Sequence, residues 1–417
     1  MDVSWESWQQ DFQQIAVIGE NQDGGINRLA YNPADEEAYQ CLAEMGKDLG
    51  LNVHWDDAGN LWLTKKANKQ PILAEPLVFG SHLDTVPNGG RYDGTLGVMS
   101  AFHALRLIQE NEVKHQRDIT LLVFRGEESS RFNCSTIGSK LLSGSLAVAR
   151  LYDYMDSEDI TPYEAISSLG YQLNSLQKER EYLKKSLSFV ELHIEQGPIL
   201  ESQGIDIGIV DYIAAPTRVK ITVLGTAAHS GTCPMNMRHD ALAGTAEMIT
   251  AIEKISLLAA DDNVVATVGK CTVVNQAINV VPGQVEFYLD LRGINEKKIS
   301  EVRTKIMAEL QQIAEQRSLE LSLEILDEEK PVKLAESLLP FIKQQCDKQG
   351  LTYLQMHSGA GHDTMHMAKL TRAALLFIPC RNGISHNRLE AVKQKDVENG
   401  IKLLYGLMQS WSNQSML

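Results

Sequence analysis

The feature that most limits what this chain can become is a strand–helix–strand run between residues 76 and 132. "PLVFGSHLD" is an apolar stretch that ends on polar residues. "TLGVMSAFHALRLIQE" then places Val98, Ala101, Phe102, Leu105 and Ile108 at helical spacing. "DITLLVFRGEE" is a second apolar stretch, in which Leu121, Leu122, Val123 and Phe124 read as a short buried strand. Upstream, "NPADEEAYQCLAEMGKDLGL" has Pro33 and acids at its start and Gly50 at its end, as helix termini prefer. Strands alternating with amphipathic helices predict an α/β fold, a mainly parallel sheet with helices on both faces.

The texture changes near residue 212. "TRVKITVLG" alternates like a strand, "DALAGTAEMITAIEKIS" is helical, and "VVATVGKCTVV" and "GQVEFYLDLRG" are strands again. A helix from Glu296 to about Gln316 and the strand-like "LELSLEILDEEKP" follow. Residues 212–328 are therefore expected to form an inserted α+β domain, with 1–211 and 329–417 making one discontinuous α/β domain.

A length of 417 residues is enough for two domains and a large core. Lys plus Arg is 39 against 54 Asp plus Glu, a formal charge of -15, which argues against nucleic acid and anionic membrane surfaces as partners. A small-molecule substrate is untouched by that argument, because a local site can carry the opposite sign. The six cysteines are scattered with no C-x-x-C pair, so reduced thiols and a cytoplasmic location are expected. The start, "MDVSWESWQQDFQQ", is too polar and acidic for a signal peptide, and no apolar run approaches bilayer length.

The chemistry collects where apolar runs end. "LLVFRGEESSRF" finishes a strand with adjacent Glu127 and Glu128, two carboxylates that repel each other. Flanking Arg125 and Arg131, or exposure to water, is the ordinary way to compensate them. Elsewhere "GSHLDTVPNGGRYDG" offers His82, Asp84 and Asp93, "ELHIEQGP" offers His193, Glu195 and Gln196, and "NGISHNRLE" offers His386. In an open α/β sheet the carboxyl ends of the strands are where ligands bind. Imidazole plus carboxylate without thiolate suits Zn²⁺ and related divalent ions. Each residue alone has a plainer reading. His193 is a hydrogen-bonded core residue, Asp93 a turn aspartate, His229 a turn histidine, and Arg292 a structural bridge to Asp290 or Glu286.

Taken together, the motifs resemble the dinuclear metal amidohydrolases related to aminoacylases and zinc carboxypeptidases. Within these, the chain is similar to the branch of N-carbamoyl-L-amino acid hydrolases, allantoate amidohydrolases and β-ureidopropionases. The resemblance spans nearly the whole chain through "GSHLDTVPNGGRYDG", "RGEESSRF", "ELHIEQGP", "HSGTCPMNMRHDA", "NVVPG", "SGAGHD" and "GISHN". It implies two divalent metal ions per subunit, zinc first, with manganese, cobalt or nickel as alternatives. His82 and His193 would hold one ion, Glu128 and His386 the other, and Asp93 would bridge them. Asp84 would orient a ligand imidazole, and Glu127 would be the general base. The resemblance further implies a homodimer through residues 212–328, with His229 reaching the partner's site to stabilise an oxyanion. Asn279 and Arg292 would bind the substrate carboxylate. Gln196 would touch substrate, and Gly359 and Ala360 would let backbone approach it. His362 is read as structural.

The expected reaction is hydrolysis of the carbamoyl C–N bond of N-carbamoyl-L-amino acids, releasing amino acid, ammonia and carbon dioxide. "AAPTR" at 214–218 leans towards carbamoylases and "MHSGAGHD" at 356–363 towards allantoate enzymes. Cys233 in "HSGTCPM" and Arg388 after "GISHN" depart from the family's usual residues without touching a ligand. The alternatives are an allantoate amidohydrolase, a β-ureidopropionase, an N-acyl-amino acid deacylase or peptidase, and a binding protein that kept the fold. No ligand or base is missing, which counts against the last.

Overall fold

The computed structural model describes residues 4–413. The chain divides into two compact units. One comprises Met1–Asp211, Leu334–Met356 and His362–Leu417, and the other Tyr212–Lys333 and His357–Gly361.

The first unit is built on a sheet whose order is Asn52–Trp55, Leu61–Lys65, Ile119–Phe124, Leu77–His82, Ser188–Ile194, Ala373–Ile378 and Ile207–Ile213. The four strands from Ile119–Phe124 to Ala373–Ile378 run parallel, and antiparallel strands flank them on both sides. Every residue of these four is buried, the pattern of a sheet covered on both faces. Alternate side chains serve the two faces. Leu77, Phe79, Leu121, Val123, Val190 and Leu192 share one cluster with Phe102, Leu105 and Leu404 from the helices Thr95–Glu110 and Gln394–Trp411. Val78, Leu122, Phe124 and Phe189 pack on the other face against Leu142 and Leu183 from the helices Ile137–Ser143 and Gln177–Lys185. Gly97 is what lets the first helix sit so close. A Cβ there would lie 1.9 Å from the Leu192 carbonyl oxygen.

The helices start where their caps stand. Asn32 accepts from the Asp35 N–H ahead of Pro33–Asp48, satisfying a backbone donor that the helix itself cannot. A helix not anticipated from the sequence, Trp5–Ala16, brings a ladder of rings in which Trp8 stacks on Phe12 and Phe12 on Tyr92.

The second unit holds a separate antiparallel sheet, in the order Glu320–Glu328, Ala215–Leu224, Gln284–Gly293 and Val264–Val273. Its inner residues Val219, Ile221, Phe287, Leu289 and Leu291 pack against Met248, Ile306 and Leu310 of the helices Ala241–Leu257 and Glu296–Gln316. Alternate residues of Ala215–Leu224 and Gln284–Gly293 stay partly exposed, as expected for a sheet with one covered face. The α/β sheet and the separate α+β unit are the architecture that the alternation of periods predicted. Among the described residues, no helix is long and apolar enough to cross a membrane.

Candidate metal centre

Three parallel strands deliver the site at one edge of the first unit. His82 closes Leu77–His82 in register with Phe124, and His193 is the penultimate residue of Ser188–Ile194 in register with Phe377. Glu127 and Glu128 follow Phe124 after a Gly126 with φ of 67°. Asp93 stands between the two sides of the site. Its Oδ1 lies 3.0 Å from His193 Nε2 and 3.7 Å from His82 Nε2, and its Oδ2 lies 3.4 Å from His386 Nε2. His386 Nε2 is 3.1 Å from Glu128 Oε1. Two groups that could hold a metal ion result, His82–Asp93–His193 and Asp93–Glu128–His386, each with donor atoms within 4.8 Å of one another.

The remaining atoms of these groups are tied down. His82 Nδ1 lies 3.1 Å from the Asp84 carbonyl and His193 Nδ1 2.9 Å from the Ile194 carbonyl. A carbonyl only accepts, so Nδ1 carries a proton in both rings and Nε2 is the nitrogen that faces Asp93. The Gly94 N–H donates to His193 Nε2 at 3.2 Å. Asp84 is fully buried, and its two oxygens accept separately from the N–H groups of Glu127 (3.1 Å) and Glu128 (2.9 Å). Gly94 has φ of 63°, and a Cβ there would meet His82 Cε1 at 2.4 Å, so the loop passes under the imidazole only without a side chain.

Burial pushes the Glu127 carboxyl well above the usual range, reinforced by Glu128, Asp363 and Asp84 and opposed by His82. Burial also raises Glu128. Hydrogen bonds to Asp93 and Glu128 push the His386 imidazole up to about 11. Burial alone would lower His82, but its bond to Asp84 and the charges of Glu127, Asp84 and Asp93 hold it well above its ordinary value. Asp93 moves the other way: although burial acts to raise it, His193, His386 and His82 hold it well below the usual carboxylate range. Oxygen and imidazole donors gathered within 4.8 Å, with no thiolate among them, fit divalent metal ions.

Other residues of the neighbourhood escaped the sequence. Glu390 is buried, and its Oε1 accepts from the N–H groups of Tyr92 (2.8 Å) and Asp93 (3.0 Å). The Ser385 hydroxyl donates to Asp93 Oδ2 at 2.7 Å and lies 3.0 Å from Glu390 Oε2. Burial, then Asp93, raises Glu390 to about 7. Gln196, which the sequence did single out, as a substrate contact, has φ of 58° and donates to Asp93 Oδ2 at 2.8 Å. Glu191 accepts from Ser81 and twice from Thr364, and it forms a third donor group with His193 and His362. His362, read from sequence as structural, packs edge-on against the His193 ring at 4.6 Å. The flanking arginines do not serve the glutamate pair through ion pairs. Arg125 bonds to Asp35 and Glu36 within a cage of Tyr31, Tyr39, Trp55 and Tyr171, and Arg131 bonds to Asp156.

The other residues singled out from sequence lie in the second unit. His229 is exposed and opposite Val280 in the short pair Ala228–His229 and Val280–Val281. The Ser230 N–H donates to the Asn279 carbonyl at 3.0 Å, which brings the two loops together. Arg292 grips Asp290 with Nε at 2.8 Å and Nη2 at 3.1 Å, the structural bridge weighed above, and Nη1 donates to the Gly359 carbonyl at 3.1 Å. Around Gly359 a Cβ would meet nothing, and the Ala360 N–H donates to the Ser358 hydroxyl.

The sequence model of "Peptidase family M20/M25/M40" matches residues 78–410. An N-carbamoyl-L-amino-acid amidohydrolase of Pseudomonas sp. (strain NS671) is 35% identical over 406 residues, covering 97% of each chain. The allantoate amidohydrolase of Escherichia coli (strain K12) is 31% identical over 392 residues, covering 94% of each. The crystal structure of an amidase of the hydantoinase/carbamoylase family from Burkholderia multivorans superposes with a TM-score of 0.87 at 28% identity, covering 99% of this chain and 98% of that one. The chain therefore belongs to peptidase family M20/M25/M40, in its hydantoinase/carbamoylase group of amidohydrolases, enzymes that hydrolyse linear carbon–nitrogen bonds.

Proposed function

We propose that the protein hydrolyses the ureido C–N bond of an N-carbamoyl-L-amino acid, using two divalent ions, zinc in the first instance. The observation that carries this reading is Asp93, whose two oxygens face two separate imidazole–carboxylate groups. His82 and His193 would hold one ion, Glu128 and His386 the other, with Asp93 shared. When bound, such ions polarise a carbonyl and acidify a coordinated water.

The protein's own residues do the rest. Asp84 holds the amides of Glu127 and Glu128, so the two adjacent side chains keep separate tasks. Glu127 takes a proton from the attacking water at its carboxylate and delivers it to the leaving nitrogen. The C–N bond breaks to give the amino acid and carbamic acid, which decomposes to ammonia and carbon dioxide. Arg292, with Asn279 beside His229, is proposed to receive the substrate carboxylate, a match for a planar guanidinium. Gln196, Gly359 and Ala360 are proposed as further substrate contacts.

Allantoate is the second reading, favoured by "MHSGAGHD" at 356–363 and by the likeness to an allantoate amidohydrolase. The deciding assay offers metal-reconstituted protein N-carbamoyl-L-amino acids, allantoate, ureidoglycolate, β-ureidopropionate and N-acetyl-amino acids, and measures ammonia and free amine. Ammonia with amine from the carbamoyl-amino acids alone is expected. Turnover of N-acetyl substrates without ammonia would refute the proposal.

A homodimer through residues 212–328, with His229 completing the partner's site, goes with this reading. Mixing His229→Ala with Glu127→Gln gives hybrids with one intact and one doubly defective site, so activity should recover towards a quarter of wild type. No recovery despite demonstrated subunit exchange would remove His229 from the partner's site.

A further inference from the structure

The loop from Leu83 to Thr95 carries Asp84 and Asp93 and hangs from His82, yet nothing in its composition explains why it holds one shape. The answer is a buried cation from elsewhere in the chain. Arg28 is 0% exposed. Its Nε donates to the Leu83 carbonyl at 2.6 Å, and its Nη2 donates to the Thr95 hydroxyl at 2.8 Å. Its Nη1 donates to the carbonyls of Ile15 and Ile18, both at 2.9 Å, where the helix Trp5–Ala16 ends. The backbone joins in, because the Arg28 N–H donates to the Thr85 hydroxyl and the Thr85 N–H to the Arg28 carbonyl.

One guanidinium therefore touches both ends of the loop. Leu83 lies between His82 and Asp84, and Thr95 is two residues past Asp93. The Ile15 carbonyl belongs to the last turn of that helix, and Ile18 follows its C-cap Val17, so the fork is anchored where a helix ends. Among the described residues no carboxylate forms an ion pair with Arg28. A buried charge is expensive: burial lowers the guanidinium to about 10, with Asp35, Tyr39 and Asp84 acting in the opposite direction from beyond ion-pair distance. A purely packing role would be met more cheaply by an apolar side chain. The fork shape is what no other residue supplies, since only Arg presents rigidly spaced donors in one plane.

We propose that Arg28 is a positioning residue of the metal site, fixing the spacing of His82, Asp84 and Asp93 by tying both ends of their loop to the N-terminal helix. This rests on the reading of His82 and Asp93 as ligands, and the test separates the two claims. Zinc affinity is measured by competition with a chromogenic chelator, beside the melting temperature of the metal-free protein, for Arg28→Lys, Arg28→Met, Thr95→Val and Asp93→Asn. Thr95→Val removes one tie with little change of volume, so it decides the matter if the Arg28 variants do not fold. Partners that orient metal ligands typically contribute 10–100-fold to affinity. Thr95→Val is expected to weaken zinc binding by about 10-fold and Arg28→Lys by about 10–100-fold, because a single amine cannot reach both loop ends. Asp93→Asn should weaken it more than either. Wild-type zinc affinity in folded Thr95→Val and Arg28→Lys, whatever their melting temperatures, would overturn the positioning role. Wild-type affinity in Asp93→Asn would instead overturn the ligand assignment.

Discussion

Asp84→Asn is the sharpest perturbation of the site, because it changes one atom and no volume. In the native loop each Asp84 oxygen serves a different amide, Glu127 at 3.1 Å and Glu128 at 2.9 Å. Asparagine offers one oxygen and one NH₂. One amide keeps its acceptor and the other faces a donor. The lost bond was to a charged group, which contributes about 1.5–3 kcal/mol, and the stranded buried N–H costs about 1–3 kcal/mol more. Asp84 is fully buried, so water does not readily repair the loss. Together the expected destabilisation is about 2.5–6 kcal/mol, a large share of the stability of an ordinary domain. In metal-free protein the change also removes a charge that repels Glu127 and Glu128, which acts in the opposite direction. The measurement therefore belongs in saturating zinc, by urea titration, with turnover followed in parallel. If the loop shifts to relieve the clash, the cost moves into misplacement of the glutamates, and kcat falls by about 10²-fold for a displacement near 1 Å. A variant that matches wild type in both urea midpoint and kcat would refute the clamp.

Glu127→Gln should keep both metal ions and lose at least ~10²-fold in kcat, because it removes a proton acceptor and no ligand; metal loss by elemental analysis would mean the two glutamates are assigned the wrong way round. Arg292→Ala should raise KM for carboxylate substrates far more than for a carboxamide analogue, with the carboxylate discrimination amounting to several kcal/mol if the pairing is bidentate; equal losses on both would remove it from the carboxylate site. His103 gives a pH prediction outside the catalytic cluster. Burial first, and Arg106 second, lower it from 6.5 to about 4, and neither ring nitrogen has a hydrogen-bond partner among the described residues. The folded state keeps it neutral while the unfolded chain takes a proton, so stability is intact above pH 6.5 and is lost as pH falls towards 4. The loss is about 2 kcal/mol at pH 5. His103→Leu should shed that loss, seen as a smaller drop in urea stability between pH 8 and pH 5; an unchanged drop would contradict it.

What could be read from the sequence was what leaves a one-dimensional trace. His82, Glu128 and His193 end apolar runs, and a run that stops on polar residues marks a strand end whatever it packs against. The helix Glu296–Gln316 has the bounds its periodicity suggested. Glu390 left no such trace. In "NRLE" it looks like a surface glutamate, and only the folded chain brings it under the amides of Tyr92 and Asp93. Arg28 is hidden for the same reason, since its partners on the loop, Leu83 and Thr95, lie 55 and 67 residues away. Glu191 escaped as well, because its satisfaction by Ser81 and Thr364 depends on neighbours that local sequence does not specify. The grouping of His357–Gly361 with the second unit is likewise a matter of which distant segments meet.

The hydrogen bond between Ser385 and Asp93 joins residues 292 positions apart, and Glu390 repeats the link to Asp93 and Tyr92. Contacts of such separation form only after the intervening chain has been brought together, and the entropy of closing that loop must be met before they contribute anything. The Asp93 half of the centre is consequently complete only when the segment that bears Ser385, His386 and Glu390 has docked. A chain broken anywhere between, whose two pieces fail to reassociate, parts His386 from His82 and Asp93, so the group Asp93–Glu128–His386 cannot assemble. An assembled Asp93–Glu128–His386 group is thus a mark that these distant parts of the first unit have come together.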